Sequence, residues 1–142
     1  MDQVGLVVYI NLDTRPDRDR QIREVLASLN VSTSNIRRVP GVPATRDTPS
    51  YKGCTLAHLQ AVQVALDSRA ELVCILEDDF MLHNSRQEFS SRCQHAVQLL
   101  RSDFDVLFLS MTPIRLAPTG TRGLHRVEGA LGMSGLIVHK RQ

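Results

Sequence analysis

The run Leu72-Val73-Cys74-Ile75-Leu76-Glu77-Asp78-Asp79-Phe80 constrains this chain more than any other stretch. Its first half is short, continuously apolar and rich in β-branched residues. That pattern reads as a strand buried on both faces, as in a parallel sheet. Its second half sets three consecutive carboxylates where the strand should end. Open α/β sheets bind ligands in the crevice beyond the carboxyl ends of their strands. Adjacent like charges repel and raise one another's pKa, so a cation is their natural neutraliser. Hard divalent cations take such oxygen ligands. The three residues therefore fit a metal site at the sheet edge. A solvated acidic turn after a strand accounts for them equally well.

A chain of 142 residues suits one domain, 1–142, with a core of its own. Its apolar share of 42% and charged share of 23% are ordinary for a globular protein. A net charge of +2 is too small to argue for a nucleic-acid partner. The basic residues cluster instead: Arg15, Arg18, Arg20 and Arg23 come early, followed by Arg37 and Arg38. Such a patch suits a phosphate, and it also suits a solvated helix face. Cys54, Cys74 and Cys93 lie far apart with no CxxC pair. Free buried cysteines are common, so a reducing compartment is expected and a disulfide framework is not. The N-terminal region has no long apolar segment. No signal peptide and no transmembrane segment are expected, which makes a cytoplasmic location the default.

Along the chain, residues 4–10 form an apolar run that exits through Asn11-Leu12-Asp13. Asp13 or Thr14 can cap a following helix, with Pro16 in its first turn. Ile22, Val25, Leu26 and Leu29 recur at helical spacing, and Asn30 can stop the helix. Residues 36–39 fit a short strand, and Pro40 to Ser50 reads as a loop. A helix is expected after Gly53, with Leu59, Val62 and Leu66 on one side and His58 and Ala65 beside that stripe. A lone histidine there is more often a packed residue than a ligand. Ser85 with Glu88 makes a capping box for a third helix, whose stripe is Phe89, Cys93, Ala96, Val97 and Leu100. Residues 105–109 read as another buried strand and 111–123 as a loop. Short strands are expected at 124–127 and 132–138.

Strands alternating with helices predict a Rossmann-like α/β domain: a mainly parallel sheet with helices on both faces. The strands at 4–10, 72–76 and 105–109 should be central. The exits of the first two would then open on one sheet edge, with arginines near one and carboxylates near the other. A diphosphate with a divalent cation needs both. No Walker loop and no GxGxxG fingerprint is present.

Six blocks, in order, resemble glycosyltransferase family 25, which includes lipooligosaccharide and procollagen galactosyltransferases. They are Tyr9-Ile10-Asn11-Leu12-Asp13-Thr14-Arg15 with Asp17-Arg18, then Val42-Pro43-Ala44, then Gly53-Cys54-Thr55-Leu56-Ala57-His58. Leu76-Glu77-Asp78-Asp79, 103–109 and 135–138 complete the series. The resemblance implies a GT-A type fold, a UDP-sugar donor and Mn2+ (or Mg2+). It implies transfer of a hexose, galactose or glucose, to a glycan or hydroxylysine-type acceptor, as in lipopolysaccharide biosynthesis. Matched onto the family's motif, Asp79 would bind the metal and Glu77 would approach the ribose, the metal or a metal-bound water. Asp78 would point the other way. Asn11, Leu12 and Arg15 would face the nucleotide base and ribose, with Arg18 and His58 close by. No residue matches a catalytic base. Ala57 stands where the family has serine, and the family continues past the last strand into an acceptor region that this chain lacks.

Two other classes fit parts of the pattern. One is a non-catalytic or truncated relative that keeps the nucleotide site. The other is a receiver-like signalling domain, whose acidic strand end resembles Ile75 to Asp79. In that comparison Ser110 occupies the position of the phospho-acceptor aspartate, and a serine cannot do that chemistry.

Overall fold

The structure, a computed structural model, describes residues 3–100 and 103–140. Strand β1 (Leu6–Asn11) leads into helix α1 (Pro16–Ser28), a 3-10 turn at Thr33–Asn35 and strand β2 (Ile36–Pro40). Helix α2 (Ser50–Asp67), strand β3 (Leu72–Glu77) and helix α3 (Arg86–Leu100) follow. The described chain closes with strands β4 (Val106–Pro118) and β5 (His125–His139).

The five strands form one sheet in the order β2-β1-β3-β5-β4. β1 pairs in parallel with β2 and with β3. β5 pairs antiparallel with both β3 and β4. The sheet is thus mixed, and this corrects the mainly parallel, Rossmann-like GT-A type arrangement expected from the sequence. The strand at 105–109 was expected at the centre, yet β4 lies on the edge and Val106 is 42% exposed. The cause is the segment read as a loop. Residues 111–118 continue β4, and the strands expected at 124–127 and 132–138 merge into one 15-residue β5. A short turn joining two long strands can only make an antiparallel pair. Pro113, read as a loop signal, is tolerated because β4 is an edge strand, and the pairing register shifts just after it.

Alternation along the central strands feeds two cores, one on each face of the sheet. Leu6, Val8, Ile10, Val73 and Ile75 pack with Ala57, Ala61 and Ala65 of α2. Val7, Tyr9, Cys74, Leu76 and Ile137 pack with Ile22 and Leu26 of α1 and with Phe89 and Val97 of α3. Helices therefore do cover both faces.

The helix ends differ in instructive ways. Arg15 is the N-cap of α1 and no side chain caps it, so neither Asp13 nor Thr14 has that role. Asp17 and Asp19 in the first turn complement the helix dipole instead. Asn30 stops the helix as expected, with a left-handed φ of 57°. At α3 half of the capping box forms: the Glu88 N–H donates to Ser85 Oγ at 3.2 Å, while the Glu88 carboxylate pairs with Arg92 at 2.6 Å.

Helix α2 begins at Ser50, so Gly53 lies inside it rather than before it. Its buried face is Gly53, Ala57, Ala61 and Ala65. The expected stripe is corrected: Leu59 is 60% exposed and Leu66 is 54% exposed. Small residues win the inner face because the backbone comes so close. A Cβ on Gly53 would sit 2.5 Å from the Val42 carbonyl oxygen. All three cysteines are free, with Cys74 and Cys93 buried and Cys54 exposed. Among the described residues, no helix is long and apolar enough to cross a membrane.

This packing makes a test of the α2 face direct. Gly53→Ala improves helix propensity, yet the forced contact with Val42 should lower stability by about 1–3 kcal/mol. Leu59→Ser, on the outer face, should change it by less than about 0.5 kcal/mol. Urea unfolding of both variants checks the assignment, which fails if Leu59→Ser is the more damaging change.

Candidate functional site

Because β1, β2 and β3 run parallel, their carboxyl ends meet at one edge. The register sets Asn11 beside Pro40, and Ile10 beside Glu77. At this edge the chain buries one amide, Asn11, only 2% exposed. Its Nδ2 donates to Asp78 Oδ2 at 2.8 Å and to the Arg15 carbonyl at 3.0 Å. Its Oδ1 accepts from Arg38 Nε at 3.0 Å and Nη2 at 2.9 Å. Arg38 also pairs with Asp13. One side chain thus ties the exits of β1 and β3 to β2 and to the start of α1.

Asp78 is 7% exposed. Asn11 takes one of its oxygens, and Arg18 Nη1 donates to the other at 3.1 Å. The middle carboxylate of the motif therefore turns inward to α1, while Glu77 faces α2. Asp79 stays exposed, with Arg18 at 3.6 Å as its ion-pair partner. Glu77, the last residue of β3, meets α2: its Oε1 lies 3.0 Å from His58 Nε2 and 3.8 Å from Cys54 Sγ.

Several of these groups line a cleft of about 240 Å³. Of the residues singled out in the sequence, Asn11, Leu12, Arg18, His58, Glu77 and Asp78 border it. Arg15 does not: its guanidinium is held by Asp17 at 2.7 Å, which depresses the Asp17 carboxyl to about 2. Asp79 is also outside the lining. The irregular segment after β2 contributes Gly41, Val42 and Ala44. Sequence reasoning missed two residues of this edge: Cys54, which lines the cleft, and Arg38, which lies outside the lining and holds Asn11. For Cys54 a signal existed, since it precedes His58 by one helical turn. For Arg38 the sequence showed only a basic pair. A larger cavity of about 490 Å³ lies between α3 and the β4–β5 hairpin, but its walls include Phe80, Phe89, Leu99 and Leu107 and none of the acidic motif's carboxylates.

Burial and the Glu77 charge both raise the Cys54 thiol pKa. Beneath the cleft, Tyr9 Oη donates to Asp19 Oδ1 at 2.6 Å, and Arg23 lies 5.4 Å over the Tyr9 ring. That hydrogen bond, with Arg23 and Arg38 nearby, holds the Asp19 carboxyl below its usual range, while burial acts in the opposite sense.

The donor set can be compared with the cation that the sequence implies. Asp78 has one partner on each oxygen and is buried, so the more exposed carboxylates are Glu77 and Asp79. One or two carboxylates completed by phosphate oxygens is the habit of Mg2+. Among the described residues, the group of three donors close enough to share an ion is a different one: Cys54, His58 and Glu77. No protein-family model and no curated protein matches this chain.

Two expectations follow for the scaffold under the cleft. Asn11→Ala leaves Asp78 and Arg38 short of partners and should destabilise the protein by about 2–3 kcal/mol in urea unfolding. Asp19, with its depressed pKa, contributes stability that is complete above its unfolded pKa of about 3.9 and lost as pH falls through the folded value. Tyr9→Phe removes the donor, so the Asp19 titration midpoint should move up towards the ordinary carboxylate value. Carboxyl NMR titration reads that midpoint, and an unchanged value would show that the Tyr9 hydroxyl has no hold on it.

Proposed function

We propose that this chain is a metal-dependent glycosyltransferase that moves a hexose from a UDP-sugar to a hydroxyl of a glycan or hydroxylysine-type acceptor. The observation that carries this reading is one juxtaposition. Asn11, Leu12 and Arg18 of the first block and Glu77 and Asp78 of the acidic strand end, far apart in sequence, share a cleft at the exits of parallel strands, with Asp79 just outside it on Arg18. The same two blocks are among those that resemble glycosyltransferase family 25.

In this reading Arg18 supplies charge to the diphosphate while it stays anchored on Asp78. Asn11 and Leu12 form the wall against the nucleoside. Glu77 orients His58 across the cleft. Glu77 and Asp79 would hold Mn2+ or Mg2+, which when bound supplies Lewis-acid neutralisation of the leaving diphosphate. Asp78 supports the wall, where Asn11 and Arg18 each hold one of its oxygens.

The test is linkage. Metal and uridine diphosphate each neutralise charge that opposes the other, so manganese should tighten the nucleotide by about 5–150-fold, and the nucleotide should tighten manganese by the same factor. Asp79→Asn keeps the shape, removes the charge and should abolish that coupling. The measurement is calorimetric titration of uridine diphosphate with and without manganese, in wild type and variant. Equal affinity without metal, or coupling that survives Asp79→Asn, would overturn the reading. Coupled binding with no manganese-dependent release of uridine diphosphate from a UDP-hexose would mark the chain as a binding relative instead.

A further inference from the structure

We propose that Cys54, His58 and Glu77 form a zinc site with one open coordination position facing the cleft. The inference stands on its own geometry and does not rest on the transferase reading.

Cys54 and His58 are four residues apart on α2, so they project from one face of the helix. Glu77, from the end of β3, stands opposite them. The close seating of α2 creates this meeting. Gly53 and Ala57 lie on the buried side of the helix, and even a single Cβ at Gly53 would press on the Val42 carbonyl. Larger residues there would lift Cys54 and His58 away from the strand end.

The spacing suits a tetrahedral ion. With Zn–S of about 2.3 Å and Zn–N or Zn–O of about 2.0–2.1 Å, neighbouring ligand atoms lie about 3.3–3.6 Å apart. Here His58 Nε2 and Cys54 Sγ lie 3.0 Å and 3.8 Å from Glu77 Oε1, and the three ligand atoms all fall within 4.8 Å of one another. Small side-chain adjustments would complete the geometry. A hydrogen bond between His58 and Glu77 explains two members of the group. The Cys54 thiol also donates to that oxygen, a long contact at 3.8 Å, so all three ligand atoms converge on one point.

The chemistry of the set selects the metal. Thiolate and imidazole favour zinc over magnesium or manganese, which take oxygen ligands. Three protein ligands with a fourth position free is the pattern of zinc sites that bind a ligand or water rather than merely brace a fold. All three residues border the cleft, so the fourth position would face the space a ligand occupies. Binding would displace the Cys54 thiol proton to solvent.

Cobalt, a spectroscopic stand-in for zinc, tests this directly. One equivalent of Co2+ added to the metal-free protein should give a thiolate-to-cobalt charge-transfer band and the intense visible bands of four-coordination. Zn2+ should displace both. Cys54→Ala should remove the charge-transfer band, and His58→Ala should weaken cobalt binding at least about tenfold, since losing one ligand costs more than the ten- to hundredfold of losing an outer partner. A readout in the unaltered protein stands beside the variants: zinc should slow alkylation of Cys54, located by mass spectrometry, and magnesium should not. No charge-transfer band, a band that persists in Cys54→Ala, or alkylation indifferent to zinc would each overturn the site. Glu77 is common to both readings, so the manganese–nucleotide linkage is measured in zinc-free protein, where its presence or loss is independent of the cobalt band and of zinc protection of Cys54.

Discussion

The edge of this sheet depends on one buried amide. Asn11 donates to a carboxylate and a backbone carbonyl while its oxygen accepts from an arginine. Few side chains can do both at once. A carboxylate there would repel Asp78, and an alkyl group would leave Asp78 and Arg38 underpaired in a poorly hydrated place. Through this residue the ends of β1 and β3, the second strand and the first turn of α1 are held in one arrangement. The cleft inherits its shape from that arrangement, and Arg18 inherits its position through the shared Asp78.

The second constraint is the closeness of α2. Its inner face carries Gly53 and three alanines, so little side-chain bulk separates its backbone from the sheet. The larger apolar residues Leu59 and Leu66 consequently face outward. This is an inversion of the usual rule that the bulkiest apolar residues mark the buried stripe. Its consequence is chemical: a histidine and a cysteine on the helix reach a glutamate on the strand.

The hairpin of β4 and β5 gives the sheet its mixed character. β5 covers the side of β3 that a further parallel strand would otherwise take, and the fully buried Ile137 joins the core beneath α1 and α3. Beyond the stretch paired with β3, the two strands continue with only each other as partners, and they expose Ile114, Leu116 and Leu131.

Much of the frame was legible in the sequence. The doubly buried strands β1 and β3 stood out as short continuous apolar runs rich in β-branched residues, which favour a strand over a helix. The faces of α1 and α3 and the stop at Asn30 also followed from local pattern. Strand direction did not. An apolar run reads the same whichever way its neighbour runs, and only the length of the connection between strands decides it. Here that connection hid inside a proline-bearing strand that resembled a loop. Nor could the sequence decide which carboxylate faces inward or which side of α2 is buried. Those outcomes depend on partners distant in the chain: Asn11 and Arg18 for Asp78, and the Val42 carbonyl for Gly53. Local propensity and periodicity determined the elements themselves, whereas burial against distant partners decided how their polar ends point.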